Sequence, residues 1–161
     1  MGKIVKDLSD LCAVMPQDKT LTLVGGCFDL LHVGHISLLE YASRLEDLLV
    51  VAVLSDDNIR GYKGSERSII NEEQRVKMVA SMQVVDYVYI SNINPNGPET
   101  ISFLKPNSIV FGGDINKDKL KRWARIIKCH SPETNISIFP RDTKEGMSTS
   151  KIIKKIRRMI M

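Results

Sequence analysis

Five short runs of apolar and β-branched residues alternate with longer segments of helical period, and this alternation leaves few folds open to the chain. The runs are TLTLVGG (20–26), LLVVAVLS (48–55), VVDYVYI (84–90), SIVFGG (108–113) and NISIFP (135–140). They are continuously apolar and do not alternate with polar residues, as expected of parallel strands covered on both faces. Between them, residues 34–46 place Ile36, Leu38, Leu39, Ala42 and Leu45 close to one helical face. Residues 72–82 follow Asn71 as an N-cap, with Gln74 in the capping-box position. Helices are also expected over 98–105, which opens on a proline, over 117–129 and over 150–160, with one more over about 5–14 outside the sheet. The expected fold is α/β: a single Rossmann-like doubly wound domain with a five-stranded parallel sheet in the order 3-2-1-4-5. Right-handed crossovers then set the loops after the first and fourth strands side by side at the carboxyl edge, where ligands sit in such sheets.

Composition narrows the function classes. At 161 residues the chain suits one domain, expected over 1–161, and 43% hydrophobic with 26% charged residues is ordinary for a globular protein. LLVVAVL (48–54) is far too short to span a bilayer, and MGKIVKDLSDL has neither an apolar signal core nor a myristoylation pattern. An unprocessed cytoplasmic protein is expected. Cys12, Cys27 and Cys129 form no C-x-x-C pair, which argues against a disulfide framework or a zinc knuckle. The net charge is +4, but KIIKKIRRMIM at the C-terminus carries five cations and no acid, so the rest of the chain sums to −1. The basic body of a nucleic-acid binder is missing, and nucleic acid is not an expected partner. In the last helix Ile152, Ile153, Ile156, Met159 and Ile160 form an apolar stripe opposite the cations. A membrane-surface helix has this pattern. Packing on the sheet or on a partner subunit explains it as well and is the expectation, with no membrane partner.

The loop after the first strand, GGCFDLLHVGH (25–35), holds two of the three histidines. Gly25 and Gly26 let the backbone turn sharply and approach a ligand. The loop matches neither G-x-G-x-x-G nor the phosphate loop G-x-x-x-x-G-K-[ST], which argues against a dinucleotide oxidoreductase and an ordinary P-loop enzyme. His32 and His35, at i and i+3, share a helical face, and Gly34 leaves room between them. Three readings are open. A histidine in an apolar run is often a hydrogen-bonded core residue. Metal ligation would draw on Cys27 and Asp29 nearby, but no H-E-x-x-H or cysteine pair supports it, and no protein metal site is expected. A helix N-terminus with unpaired N–H groups and two imidazoles makes a site for phosphate, and imidazoles titrate near neutral pH, so they are candidates for carrying charge beside an anion.

GCFDLLHVGH, taken together with MSTSKII near the C-terminus, resembles the HxGH nucleotidyltransferases of the cytidylyltransferase type over about residues 20–156. The resemblance implies transfer of a nucleoside monophosphate from a nucleoside triphosphate to a phosphorylated small molecule, with release of pyrophosphate. It implies nucleotide binding by Gly26, Cys27, Phe28, Asp29, His32, Gly34, His35, Arg141, Ser148, Thr149 and Ser150. His32 and His35 are then catalytic, donating hydrogen bonds to phosphate oxygens in the transition state. Lys63 is a further catalytic cation that also meets the acceptor, and Arg67, Arg75 and Asp114 complete the acceptor side. One departure concerns the residue after Arg67, often proline in the family and here Ser68, which makes that loop more mobile. For each cation the alternative is a solvated surface charge. For Ser148–Ser150 it is plain helix capping, and for Asp114 or Asp29 a turn or loop-orienting role. Magnesium is expected through the oxygens of the triphosphate, since no carboxylate cluster is visible. A homodimer is implied by the resemblance alone.

Two subfamilies compete for the substrate. KIVKDLSDL, LLVVAVLSDD, VDYV, GGD and SKIIKKI look like the adenylyltransferase that makes ADP-heptose from heptose 1-phosphate, a domain often fused to a sugar kinase and expected to stand alone here. GMSTSKI after Arg141 also resembles the glycerol-3-phosphate cytidylyltransferases, whose first motif usually has Thr where Cys27 sits. ATP with a sugar phosphate is the first expectation and CTP with a polyol phosphate the alternative. A nucleotide-binding sensor without catalysis is a further one.

Overall fold

The computed structural model describes residues 1–64, 67–140 and 148–160, with the backbone alone of Tyr62 and Lys63. Its elements are β1 (Lys3–Ile4), α1 (Leu8–Val14), β2 (Leu21–Gly26), α2 (Val33–Ala42), β3 (Leu48–Leu54), α3 (Asp56–Lys63) and α4 (Glu72–Ala80). They continue with β4 (Tyr87–Ser91), α5 (Pro98–Leu104), β5 (Ser108–Gly112), α6 (Lys117–His130), β6 (Asn135–Phe139) and α7 (Thr149–Ile160). The architecture is Rossmann-like α/β with a wholly parallel sheet.

The expectation of five strands in the order 3-2-1-4-5 is corrected. The sheet has six strands in the order β1-β4-β3-β2-β5-β6. The missed strand, β1, is two residues long and pairs Lys3 with Tyr87 and Ile4 with Val88, so the edge of the sheet is β1 and not the 84–90 segment. Two residues carry no periodicity to read, and this pairing exists only because β4 presents its ladder there. A second omission is α3. Ser55 caps it by accepting from the Asn58 N–H, and Asp56 and Asp57 sit in its first turn, a start signal the sequence carries plainly.

The continuous apolar runs have a packing cause, because each strand from β2 to β6 feeds two cores. On one face Val24, Val51, Val53, Val88 and Val110 meet Leu39 and Ala42 of α2 and Val76, Val79 and Ala80 of α4. On the other Leu23, Val50, Ala52, Tyr89 and Ile109 meet Leu11 of α1, Ile101 and Leu104 of α5 and Ile127 of α6. Successive strand residues point to opposite faces, so a sheet covered on both sides needs apolar residues at every position. The strand order turns at β2, which has β3 on one side and β5 on the other. That turn opens a crevice at the carboxyl ends of β2 and β5.

At the end of β2 the backbone passes so close to Pro95 that a Cβ on Gly25 would stand 2.5 Å from the proline Cβ. Only glycine fits there. At the other end of the chain, α7 has no fully buried residue: Ile152 and Ile153 are half-buried, while Ile156, Met159 and Ile160, the far part of its apolar stripe, are exposed. Among the described residues no helix is long and apolar enough to cross a membrane.

Candidate functional site

The crevice at the switch point holds a cleft of about 220 Å³. The loop after β2 brings Cys27, Phe28, Asp29, His32, Gly34 and His35 to it; Arg67 comes from the segment before α4, Asp114 from the turn after β5, and Ser148, Thr149 and Ser150 from the start of α7. These positions run from Cys27 to Ser150 in the sequence, and the sheet topology gathers them at one edge. Gly112 and Gly113, at the end of the fourth expected strand and in the loop expected beside the ligand, also line the cleft, as do Leu38 and Phe139. Nothing local marks Leu38 or Phe139 as anything beyond core. Gly26 and Arg75 are not among the lining residues. Lys63 is the last residue of α3, with its side chain outside the description, and Arg141 lies outside the described residues.

The loop from Cys27 to His32 is held in an expensive conformation. Phe28 and Leu30 have φ of 52° and 48°, a left-handed region that costs a residue other than glycine about 1–2 kcal/mol. Such residues persist only where the surroundings over-determine them. Here the Phe28 ring is buried. The Asp29 carboxylate, between the two, accepts the N–H groups of Ile69 and Ile70 at 3.2 and 3.1 Å. The Asp29 carbonyl accepts the Thr149 hydroxyl at 2.7 Å. One residue thus joins the β2 loop, the segment before α4 and the start of α7.

His32 is the N-cap of α2, and its Nδ1 accepts the Gly34 N–H at 3.1 Å. That bond places the ring proton on Nε2, and adding a second proton at Nδ1 would break the cap. His35 stacks on His32, with ring centroids 3.9 Å apart and planes 23° from parallel, and leans on Phe28 at 5.4 Å. The imidazoles are therefore packed as a pair on a fixed face. Ser148 caps α7, its Oγ accepting the Lys151 N–H at 3.2 Å, so its hydroxyl and that of Thr149 already have structural tasks. Asp114 folds back so that its Oδ1 lies 2.9 Å from where a Gly112 Cβ would stand.

Arg75 differs most from expectation. The resemblance implies an acceptor contact for it, whereas its side chain has 0% exposure and is turned to the protein interior. It donates to the carbonyls of Ile70 (2.9 Å), Cys27 and Leu54 (2.8 Å) and to Asp56 Oδ1 (2.6 Å). The guanidinium therefore fastens the β2 loop to the end of β3 and the start of α4. Asp56 also exchanges backbone hydrogen bonds with Glu72, each carboxylate accepting the other's N–H. Burial raises the Asp56 pKa, but the Ser68 hydroxyl, Arg75 and the Glu72 N–H outweigh it and hold the carboxyl below its ordinary 3.8. A carboxyl with a depressed folded pKa contributes stability above its unfolded value and loses it as pH falls through the folded one. Thermal unfolding followed by calorimetry from pH 3.8 downward is expected to show that loss. Asp56→Asn should be less stable than the parent at neutral pH and show a shallower acid slope. Equal slopes in the two proteins would remove Asp56 from the acid response.

Among the described residues no group of three or more His, Cys, Asp or Glu side chains could hold a metal ion. The cleft instead presents imidazoles, hydroxyls, a guanidinium and the N-termini of α2 and α7, a donor set suited to phosphate oxygens. Fold and cleft together define a Rossmann-like α/β domain with a donor-lined cleft at its topological switch point. The sequence matches the Cytidylyltransferase-like family over residues 23–155, and the chain belongs to that family. It is similar to the bifunctional protein HldE of Campylobacter jejuni strain RM1221, with 40% identity over 157 residues covering 96% of this chain and 32% of that one. HldE of Geotalea uraniireducens strain Rf4 is 35% identical over 158 residues, covering 95% and 31%. The chain thus spans about a third of the length of the curated relatives it matches. Among solved structures, the lipopolysaccharide core biosynthesis protein from Thermoplasma volcanium superposes with a TM-score of 0.66 at 27% identity, covering 77% of this chain and 98% of that one. A pantothenate synthetase from Thermus thermophilus shares the fold, with a TM-score of 0.65 at 16% identity, covering 94% and 70%.

Proposed function

We propose that the chain is a nucleotidyltransferase that moves AMP from ATP to a sugar phosphate of the heptose 1-phosphate type. The observation that carries the reading is the stacked His32–His35 pair at the N-terminus of α2, on one cleft with Arg67 and the start of α7. The choice of ATP and a heptose phosphate rests on sequence resemblance and on the similarity to proteins named HldE. The homodimer, which rests on the resemblance, and the single domain over 1–161, which rests on chain length, belong to the same reading.

In this reaction an oxygen of the acceptor phosphate forms a bond to the α-phosphorus, the bond to the β-bridging oxygen breaks, and its electron pair leaves with pyrophosphate. The acceptor is already anionic at neutral pH, so no strong base is required. The barrier lies in aligning two anions and stabilising charge on the α-phosphate. His32, with its proton on Nε2, and His35 supply donors there. Arg67 offsets the charge of the acceptor, and the N–H groups at the start of α7 take the terminal phosphates. Magnesium belongs to this reading as part of the substrate, arriving on the triphosphate and neutralising its charge.

Pyrophosphate release with ATP or CTP against a panel of sugar and polyol phosphates tests the proposal. ATP with a heptose 1-phosphate is the expected productive pair. Turnover with CTP and glycerol 3-phosphate alone would reassign the substrates, and nucleotide binding without release would make the domain a sensor.

A further inference from the structure

We propose that Ser68 is a positioning residue: its hydroxyl, anchored on Asp56 and through it on the buried Arg75, sets Arg67 against the cleft. Arg67 reaches the cleft from between α3 and α4 and itself belongs to neither a helix nor a strand. Asp29 is a poor guide for it. Arg67 Nε lies 3.9 Å from Asp29 Oδ2, beyond hydrogen-bond range, and the Asp29 oxygens already accept the Ile69 and Ile70 N–H groups. Asp29 therefore contributes charge to Arg67 without giving it direction. Direction comes from the backbone that carries the guanidinium, and that backbone is pinned one residue later.

The pin is the Ser68 hydroxyl, which donates to Asp56 Oδ1 at 2.6 Å, the short distance of a hydroxyl on a charged acceptor. The same oxygen accepts Arg75 Nη2 at 2.6 Å, and Arg75 also grips the Cys27 carbonyl in the loop that leads to the two histidines. One carboxylate thus registers the Arg67 segment and the histidine loop to a common point at the end of β3. The extra mobility expected of Ser68 in place of proline meets a hydrogen bond that restrains it. Removing the hydroxyl leaves Asp56 its bonds to Arg75 and to the Glu72 N–H, and the carboxylate is 18% exposed, so water can fill the vacated position. The loss should fall on the Arg67 segment and spare the fold.

The test has a kinetic arm that rests on the nucleotidyltransferase reading and an exchange arm that does not. In the apo protein, Ser68→Ala is expected to speed amide exchange at Ile69 and Ile70 by about tenfold while Val51 and Val88 in the sheet keep their protection, and Ser68→Thr restores the slow exchange. In turnover, Ser68→Ala should raise KM for the acceptor phosphate about tenfold with KM for ATP within about twofold, and should add almost nothing once Arg67→Ala is present. Unchanged exchange at Ile69 and Ile70 overturns the tether whatever the enzyme does. Faster exchange with an unchanged acceptor KM, or full additivity with Arg67→Ala, overturns the positioning role. Absence of turnover in the parent defeats the functional reading, and the exchange arm then decides the tether by itself.

Discussion

His35→Ala is expected to lower the rate of pyrophosphate release by about 10³-fold, the scale on which one pre-positioned transition-state donor is felt. The ring is half-buried, stacks on His32 and meets Phe28 at a tilt, so its loss removes a donor and part of the packing that fixes its neighbour. It does not cap α2; that task falls to His32, whose Nδ1 accepts the Gly34 N–H. His35→Ala should therefore keep the helix and shift stability by no more than about 1 kcal/mol, whereas His32→Ala mixes a lost cap with a lost donor. Steady-state kinetics beside a thermal melt separates the two effects. Turnover near the parent's level in a well-folded His35→Ala protein would end the proposed mechanism.

Arg75→Met should cost about 3–5 kcal/mol of folding stability, the range for breaking a buried ion pair by removing one partner. Methionine fills much of the same space but leaves the carbonyls of Cys27, Leu54 and Ile70 without that donor and Asp56 without its cation. In a domain of this size that corresponds to a fall in the melting midpoint of about 10 °C or more. The left-handed residues Phe28 and Leu30 lie directly after the carbonyl that Arg75 holds, so activity should fall in the protein that remains folded. A second change, Asp56→Leu on top of Arg75→Met, should recover part of the stability by removing the stranded carboxylate. Denaturation of the three proteins in urea gives the comparison. A loss below about 0.5 kcal/mol for Arg75→Met would place Arg75 among ordinary surface residues and contradict its burial.

How far the site could be read depended on the kind of residue. His32, His35 and Gly34 stand in one short stretch at a helix start, and local spacing alone puts the two rings on one face. Ser148–Ser150 open the last helix and were legible for the same reason. Phe139 and Leu38 were not, because an apolar residue at a cleft looks like any other core residue in the chain. By resemblance Arg75 and Arg67 both read as acceptor-side cations. Their fates separate in three dimensions, one losing all contact with solvent and the other lining the cleft.

From the sequence alone come the α/β alternation, the positions of the long elements and the identity of the histidine loop, since each depends on patterns within a dozen residues. Only the tertiary structure decided the sixth strand, which exists because β4 offers Lys3 and Ile4 a ladder to pair with. It alone decided the role of Arg75, since a buried guanidinium needs acceptors, and these come from residues 27, 54, 56 and 70. Local spacing cannot announce that set. The partners of a buried charge are chosen by where the backbone happens to present carbonyls, and that is settled only when the sheet and its helices have closed around it.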